Sequence, residues 1–120
     1  GFGLMGHANE MAEASRVSLR IEADKIPIIS GVTELASMGL LPAGLYRNKK
    51  HLEGKVKVDA RVPENIADIV FDPQTSGGLL ISIDEEKALK LMAILAASGN
   101  NHARIIGRVE NRQDYNILLE

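Results

Sequence analysis

Asp72-Pro73-Gln74-Thr75-Ser76-Gly77-Gly78 runs directly into Leu79-Leu80-Ile81-Ser82-Ile83. One short loop thus carries a carboxylate, an amide, two hydroxyls and two adjacent glycines. Pro73 fixes its own φ and steers Asp72 away from the helical region. Gly77 and Gly78 can take φ > 0, and they put no side chain between the backbone and an approaching group. Two readings of the loop stand. Backbone N–H groups near Gly77 and Gly78, with the Thr75 and Ser76 hydroxyls, can donate to phosphate oxygens. Alternatively the side chains cap neighbouring backbone groups in a turn. A P-loop is excluded, because the lysine of GxxxxGK[ST] is missing and a strand pattern follows where a helix should begin.

A second glycine-punctuated segment, Gly1-Phe2-Gly3-Leu4-Met5-Gly6-His7, opens a helical pattern. It can offer backbone donors at the positive end of a helix dipole, or simply allow close packing. The dinucleotide reading of G-x-G-x-x-G also needs a preceding strand, which this chain does not contain, although Glu22 and Asp24 fall near the expected acidic offset. His7 is either a ligand or proton carrier, or a side chain hydrogen-bonded near the helix terminus. His51 and His102 sit in polar surroundings, and the three histidines lack metal-ligand spacing. Asp68 and Asp72 lie four apart and offer oxygen ligands to Mg²⁺, or Asp68 is an exposed helix carboxylate. Arg47 and Asn48, after Gly44, meet a phosphate or form a solvated basic patch. Glu85 and Glu86 are first-turn helix charges. No Ser-His-Asp order, Cys-His pair or H-E-x-x-H motif is present, so no catalytic centre is expected within these residues.

The elements that position these loops follow from periodicity. A helix is predicted over residues 4–15, then a half-buried strand alternating at Val17, Leu19 and Ile21. Ser30 is the expected N-cap of a short helix reaching Met38, with Gly39 as its stop. Pro42–Asn48 reads as loop and Lys49–Gly54 as a helical turn. Val56–Val58 reads as a short strand, and Pro63–Val70 as a short helix. Leu79–Ile83 is predicted as a strand. Asp84 is the expected N-cap of a helix whose stripe is Ala88, Leu91, Met92, Leu95 and Ala96. Strands at Ala103–Val109 and Tyr115–Leu119 complete a β-α-β unit with a hairpin-like return. The class is α+β, or α/β: helices on a mixed sheet of about four to six strands.

The 120 residues bound one domain, residues 1–120, large enough for a core. A net charge of −2, from 14 basic and 16 acidic residues, gives no electrostatic reason to expect nucleic acid or a membrane surface. Aromatics at 3% leave an aliphatic core and too few rings to stack bases. Without cysteine there is no disulfide framework, thiolate metal site or thiol nucleophile. A cytoplasmic location fits. The opening on Gly1-Phe2-Gly3 rather than Met leads us to expect a piece of a longer protein.

Taken in order, GFGLMGH, SGV, PAGLYRN, FDPQTSGGLLISI and the AxIIGRV stretch from Ala103 to Val109 resemble the C-terminal domain of the selenophosphate synthetase family, within the aminoimidazole ribonucleotide synthetase superfamily. The resemblance spans nearly the whole chain, and DPQTSGGLL is its most specific part. It implies helices packed on a mixed, mainly antiparallel sheet. It implies an ATP- and Mg²⁺-dependent enzyme that makes selenophosphate, AMP and phosphate from ATP, selenide and water. It further implies an N-terminal domain that carries the reactive Cys or selenocysteine, a lysine and most metal-binding aspartates, and that builds most of a homodimer interface. The family's GFGL follows a D-V-T segment whose aspartate joins the metal site. The loops bearing Gly1, Gly3 and His7, and Asp72, Gln74, Thr75, Ser76, Gly77 and Gly78, would face the substrate phosphates across the cleft to that domain, with no catalytic residue and no metal ligand on this chain. Taken alone, the chain would be inactive.

The chain departs from the pattern at Ala43 and Leu45, where the family often has Gly and Thr or Ser, and at Met5, a volume-conserving exchange for Leu. The two middle-loop departures bear against a ligand role for that loop. Two alternatives stay open: another ATP-dependent member of the superfamily, such as one like thiamine monophosphate kinase or aminoimidazole ribonucleotide synthetase, or a non-catalytic binding module.

Overall fold

A computed structural model describes all 120 residues. Helix α1 spans Gly3–Ser15 and ends on Arg16, whose left-handed backbone (φ 55°) lets its N–H reach the Ala12 and Glu13 carbonyls. Strand β1, Val17–Ile21, follows at once, then a 3₁₀ turn at Ala23–Lys25. Helices α2 (Val32–Ser37) and α3 (Ala43–His51) lead to β2 (Val56–Val58). Then come α4 (Glu64–Ile69), α5 (Glu85–Ala97), β3 (Gly107–Asn111) and β4 (Ile117–Leu119).

The sheet order is β2-β4-β1-β3. β1 runs antiparallel to β3, with Leu19 opposite Val109, and parallel to β4, with Leu19 opposite Ile117. β2 is parallel to β4. The class is thus α+β on a mixed sheet, as expected, but the sheet is not mainly antiparallel: two of its three pairings are parallel. β4 sits inside the sheet with all three residues buried, which suits an uninterrupted apolar run between parallel neighbours. Gly107 is required where β3 meets β1, because a Cβ there would stand 2.1 Å from the Arg20 carbonyl oxygen.

The core is aliphatic. Met5 of α1, Leu45 of α3 and Ile117 and Leu119 of β4 are fully buried, with Ile21, Leu52, Val70 and Phe71 around them. A polar tie crosses it: the Asn116 amide donates to Asn9 Oδ1 at 2.7 Å. Ser18, also fully buried, donates to the Tyr115 carbonyl at 2.6 Å and accepts from the Gln113 N–H at 2.9 Å. No helix is long and apolar enough to cross a membrane.

Several expectations are corrected. Leu79–Ile83 is not a strand; from Pro73 to Ile83 no backbone group is hydrogen-bonded. A short apolar, β-branched run reports a preference for an extended, packed surface, whereas a strand exists only where an edge pairs it. Here Leu80 alone packs on the core, and Leu79 is 90% exposed. β3 and β4 form no hairpin; β1 lies between them. Pro42–Asn48 is no loop: Pro42 is the N-cap of α3, a position where its missing N–H costs nothing. Gly31, in a left-handed conformation, replaces Ser30 as the cap of α2. Asp84 is the N-cap residue of α5, as expected, but its carboxylate pairs with Lys87 at 2.6 Å and makes no hydrogen bond to the helix N–H groups.

Candidate functional site

Three segments distant in sequence meet at one place. Gly3 has φ +72°, and a Cβ there would lie 2.8 Å from the Phe71 carbonyl carbon and 3.1 Å from the Asp72 oxygen. The N-terminal glycines are therefore pressed against the backbone that enters the Asp72–Gly78 loop. Met5 N–H adds a hydrogen bond to the Val70 carbonyl at 3.1 Å. On the other side stands α3. A Cβ on Gly44 would lie 2.8 Å from Pro73 Cγ, so this helix also approaches the loop as closely as its backbone permits. The Asn48 amide closes the junction, donating to the Phe71 carbonyl at 2.9 Å and to the Gly1 carbonyl at 3.0 Å.

Asn48 is thus a brace rather than a phosphate contact. Gly44, Arg47 and Asn48 stand at i, i+3 and i+4, one face of a helix. Sequence reasoning missed this face because the segment was read as loop; the helical spacing of the three residues was the signal that could have found it. Leu45, beside this face, is buried in the core with no exposure. Its departure from the family pattern is a packing choice and takes nothing from the Gly44 face.

Past this anchored root the loop is open. Asp72 is half-buried, and its carboxylate has no hydrogen-bond or ion-pair partner in the chain; Gln74, Thr75, Ser76, Gly77 and Gly78 are exposed. Neither Gly77 nor Gly78 adopts positive φ, contrary to one use foreseen for them. A Cβ on Gly78 would meet nothing within 4 Å, and one on Gly77 only Gln74 Oε1 at 3.8 Å. Within this chain neither conformation nor packing requires glycine at these positions. His7 is exposed and lies 3.1 Å from Glu10 Oε2, with its ring edge-on to Phe2 at 5.7 Å.

The Asp68–Asp72 pairing as Mg²⁺ ligands is also corrected. Asp68 is buried, and Lys49 Nζ holds its carboxylate at 2.5 Å. No group of three or more His, Asp or Glu side chains is arranged to hold a metal ion. The open stretch offers donors instead: N–H groups without an acceptor in the chain, the Thr75 and Ser76 hydroxyls, and an open approach. The shifted titrations lie elsewhere. Arg20, bonded to Glu110 at 2.7 Å and Glu120 at 2.9 Å, holds the Glu110 carboxyl below its usual range. Arg61 lowers Asp59 to about 2 through side-chain and backbone hydrogen bonds. An open groove of about 440 Å³, between α2 and α4 and including Tyr46 and Glu64, is separate from the glycine loop.

Comparison with known proteins gives the family of the chain. All of residues 1–120 match the family model described as AIR synthase related protein, C-terminal domain. The chain is 53% identical over 119 residues to a selenide, water dikinase of Caldanaerobacter subterraneus subsp. tengcongensis, covering 99% of this chain and 34% of that protein. It is 47% identical, over the same shares, to selenide, water dikinase 2 of Peptoclostridium acidaminophilum. Against the selenide, water dikinase of Clostridioides difficile it is 49% identical over 109 residues, covering 91% of this chain and 31% of that protein. The chain spans about a third of the length of these relatives.

Proposed function

We propose, because the chain belongs to the AIR synthase related protein C-terminal domain family, that it is the C-terminal domain of an ATP-dependent selenophosphate synthetase, supplying one wall of the active site. The single observation that carries this is the glycine pair. Gly77 and Gly78 answer to nothing in their own chain, yet their loop is anchored at its root by Gly3, Gly44 and Asn48. Glycines without an internal reason suit the close approach of something external.

In this reading Thr75 and Ser76 hydroxyls and the N–H groups of residues 75–78 contact substrate phosphates. Gly1, Gly3 and His7 border the same cleft, with Asp72 and Gln74 at its edge. The anchored root holds these donors in place, so less ordering is left for the moment of binding. ATP supplies the phosphoryl groups transferred to selenide and water. As the family resemblance implies, Mg²⁺ would be held by carboxylates of the domain across the cleft. That domain, a second copy of the full-length enzyme and selenide are the partners in this reading. The setting is cytoplasmic.

The test uses the full-length enzyme containing this chain. It should form AMP and phosphate from ATP only when selenide is present. Selenide-independent formation of ADP would instead identify another member of the superfamily. Gly77→Val should lower turnover while the enzyme stays folded; unchanged turnover with normal stability would remove the loop from the site.

A further inference from the structure

We propose that Arg47 is a phosphoryl-contacting residue at the mouth of the glycine loop. The inference rests on the reading given above and extends it to a residue on α3, outside both glycine segments. Its basis is the helix face shared by Gly44, Arg47 and Asn48. Asn48 fixes that face to Gly1 and Phe71, and Gly44 fixes it to Pro73. Arg47 lies between these two anchors. Its Nη2 is 3.5 Å from the position a Gly44 Cβ would occupy, and Pro73 Cγ is 2.8 Å from the same point. The guanidinium therefore folds back along α3 toward the residue that begins the open part of the loop.

Nothing in the chain occupies it. Three other arginine guanidiniums are held in ion pairs: Arg20 binds Glu110 and Glu120, Arg61 binds Asp59, and Arg108 binds Glu110. Two residues further along α3, Lys49 is committed to Asp68. Arg47 is exposed and makes neither a hydrogen bond nor an ion pair. A planar fork of donors, held near Pro73 at the residue from which the open loop departs, matches the tetrahedral oxygens of a phosphoryl group. Ordinary surface arginines are also free. What separates Arg47 is its seat on the one helix face that contacts both glycine segments.

The group contacted could belong to bound ATP or to the phosphate product, and kinetics distinguish them. In the full-length enzyme, Arg47→Ala should reduce kcat/KM for ATP about tenfold or more, the scale of a lost charge-assisted hydrogen bond. Arg47→Lys should recover part of the loss, and added guanidinium should restore activity to the Ala variant. Lys90→Ala on α5 removes the same charge at a remote exposed position and should change nothing. A rise in KM for ATP assigns the contact to the nucleotide; a rise in the inhibition constant of inorganic phosphate assigns it to the product. If Arg47→Ala alters both constants less than twofold, in an enzyme whose wild type makes selenophosphate, Arg47 is a solvated surface cation and the proposal fails while the broader reading stands. A wild type without selenide-dependent activity fails both.

Discussion

Asn48 and Phe71, 23 residues apart, are joined by a hydrogen bond of 2.9 Å from the Asn48 amide to the Phe71 carbonyl, and the same Nδ2 reaches the Gly1 carbonyl at 3.0 Å. One side chain thus ties α3 to both glycine segments. Its loss leaves the part-buried Phe71 carbonyl without a donor and hands the exposed Gly1 carbonyl to water. Asn48→Leu should destabilise the chain by about 1–3 kcal/mol, read as a lower urea midpoint. Asn48→Asp should do no better, because a carboxylate cannot donate to either carbonyl. A midpoint unchanged in both variants would show that the junction holds without its brace.

The glycines divide into two kinds, and substitution should separate them. Gly3 combines φ +72° with a Cβ position 2.8 Å from the Phe71 backbone. Gly3→Ala should therefore cost about 2–4 kcal/mol, strain and overlap together. Gly78→Ala meets open space at a φ that alanine accepts, so the chain's melting temperature should stay within a degree or two. In the full-length enzyme the ranking by turnover should differ from the ranking by stability: Gly78→Ala should slow catalysis without loosening the fold. Equal losses of stability at both positions would contradict the division.

Much of this arrangement was legible in the sequence, and the misses have a common cause. α1, β1, α4 and α5 each carry their own periodicity and were found within a residue or two. Gly39 and Gly99 stop helices with φ +77° and +83°, as glycine after an apolar stripe suggests. What local pattern cannot supply is a partner. Leu79–Ile83 is an apolar run like a buried strand yet pairs with nothing, and β3 and β4 are separated by β1 although they are neighbours in sequence. α3 was lost for a different reason: with Leu45 the only buried residue among nine, its sequence lacks an apolar stripe. The family motifs located the glycine loop but not the face that anchors it.

Acid should weaken the sheet through Arg20. The guanidinium joins Glu110 of β3 to Glu120 at the end of the chain, and these bonds hold the Glu110 carboxyl below its unfolded value. A carboxyl depressed in the folded state stabilises fully above its unfolded pKa, about 4.3. That stabilisation is lost as pH falls through the lower folded value. Glu110→Gln should therefore melt below the wild type at pH 7, and the two melting curves should converge between pH 5 and pH 3. A gap that stays constant across that range would show that Glu110 acts by packing rather than charge.

Hydrogen exchange should expose the contrast between the loop's root and its open stretch. The N–H groups of residues 74–83 have no acceptor in the chain, so they should exchange within about tenfold of an unstructured peptide. Those of Ile117 and Leu119, buried in β4, should exchange only by the rarest openings. Met5 N–H, bonded to Val70, should lie nearer to β4 than to the loop, because the root is braced. In the full-length enzyme, adding ATP and Mg²⁺ should then slow residues 75–78 more than residues 79–83, since the phosphoryl contacts are confined to the glycine end. Equal slowing across 75–83 would instead mean that the whole segment pairs with a neighbouring strand when the site closes, and that the donors are ordered by that pairing and not by the phosphates.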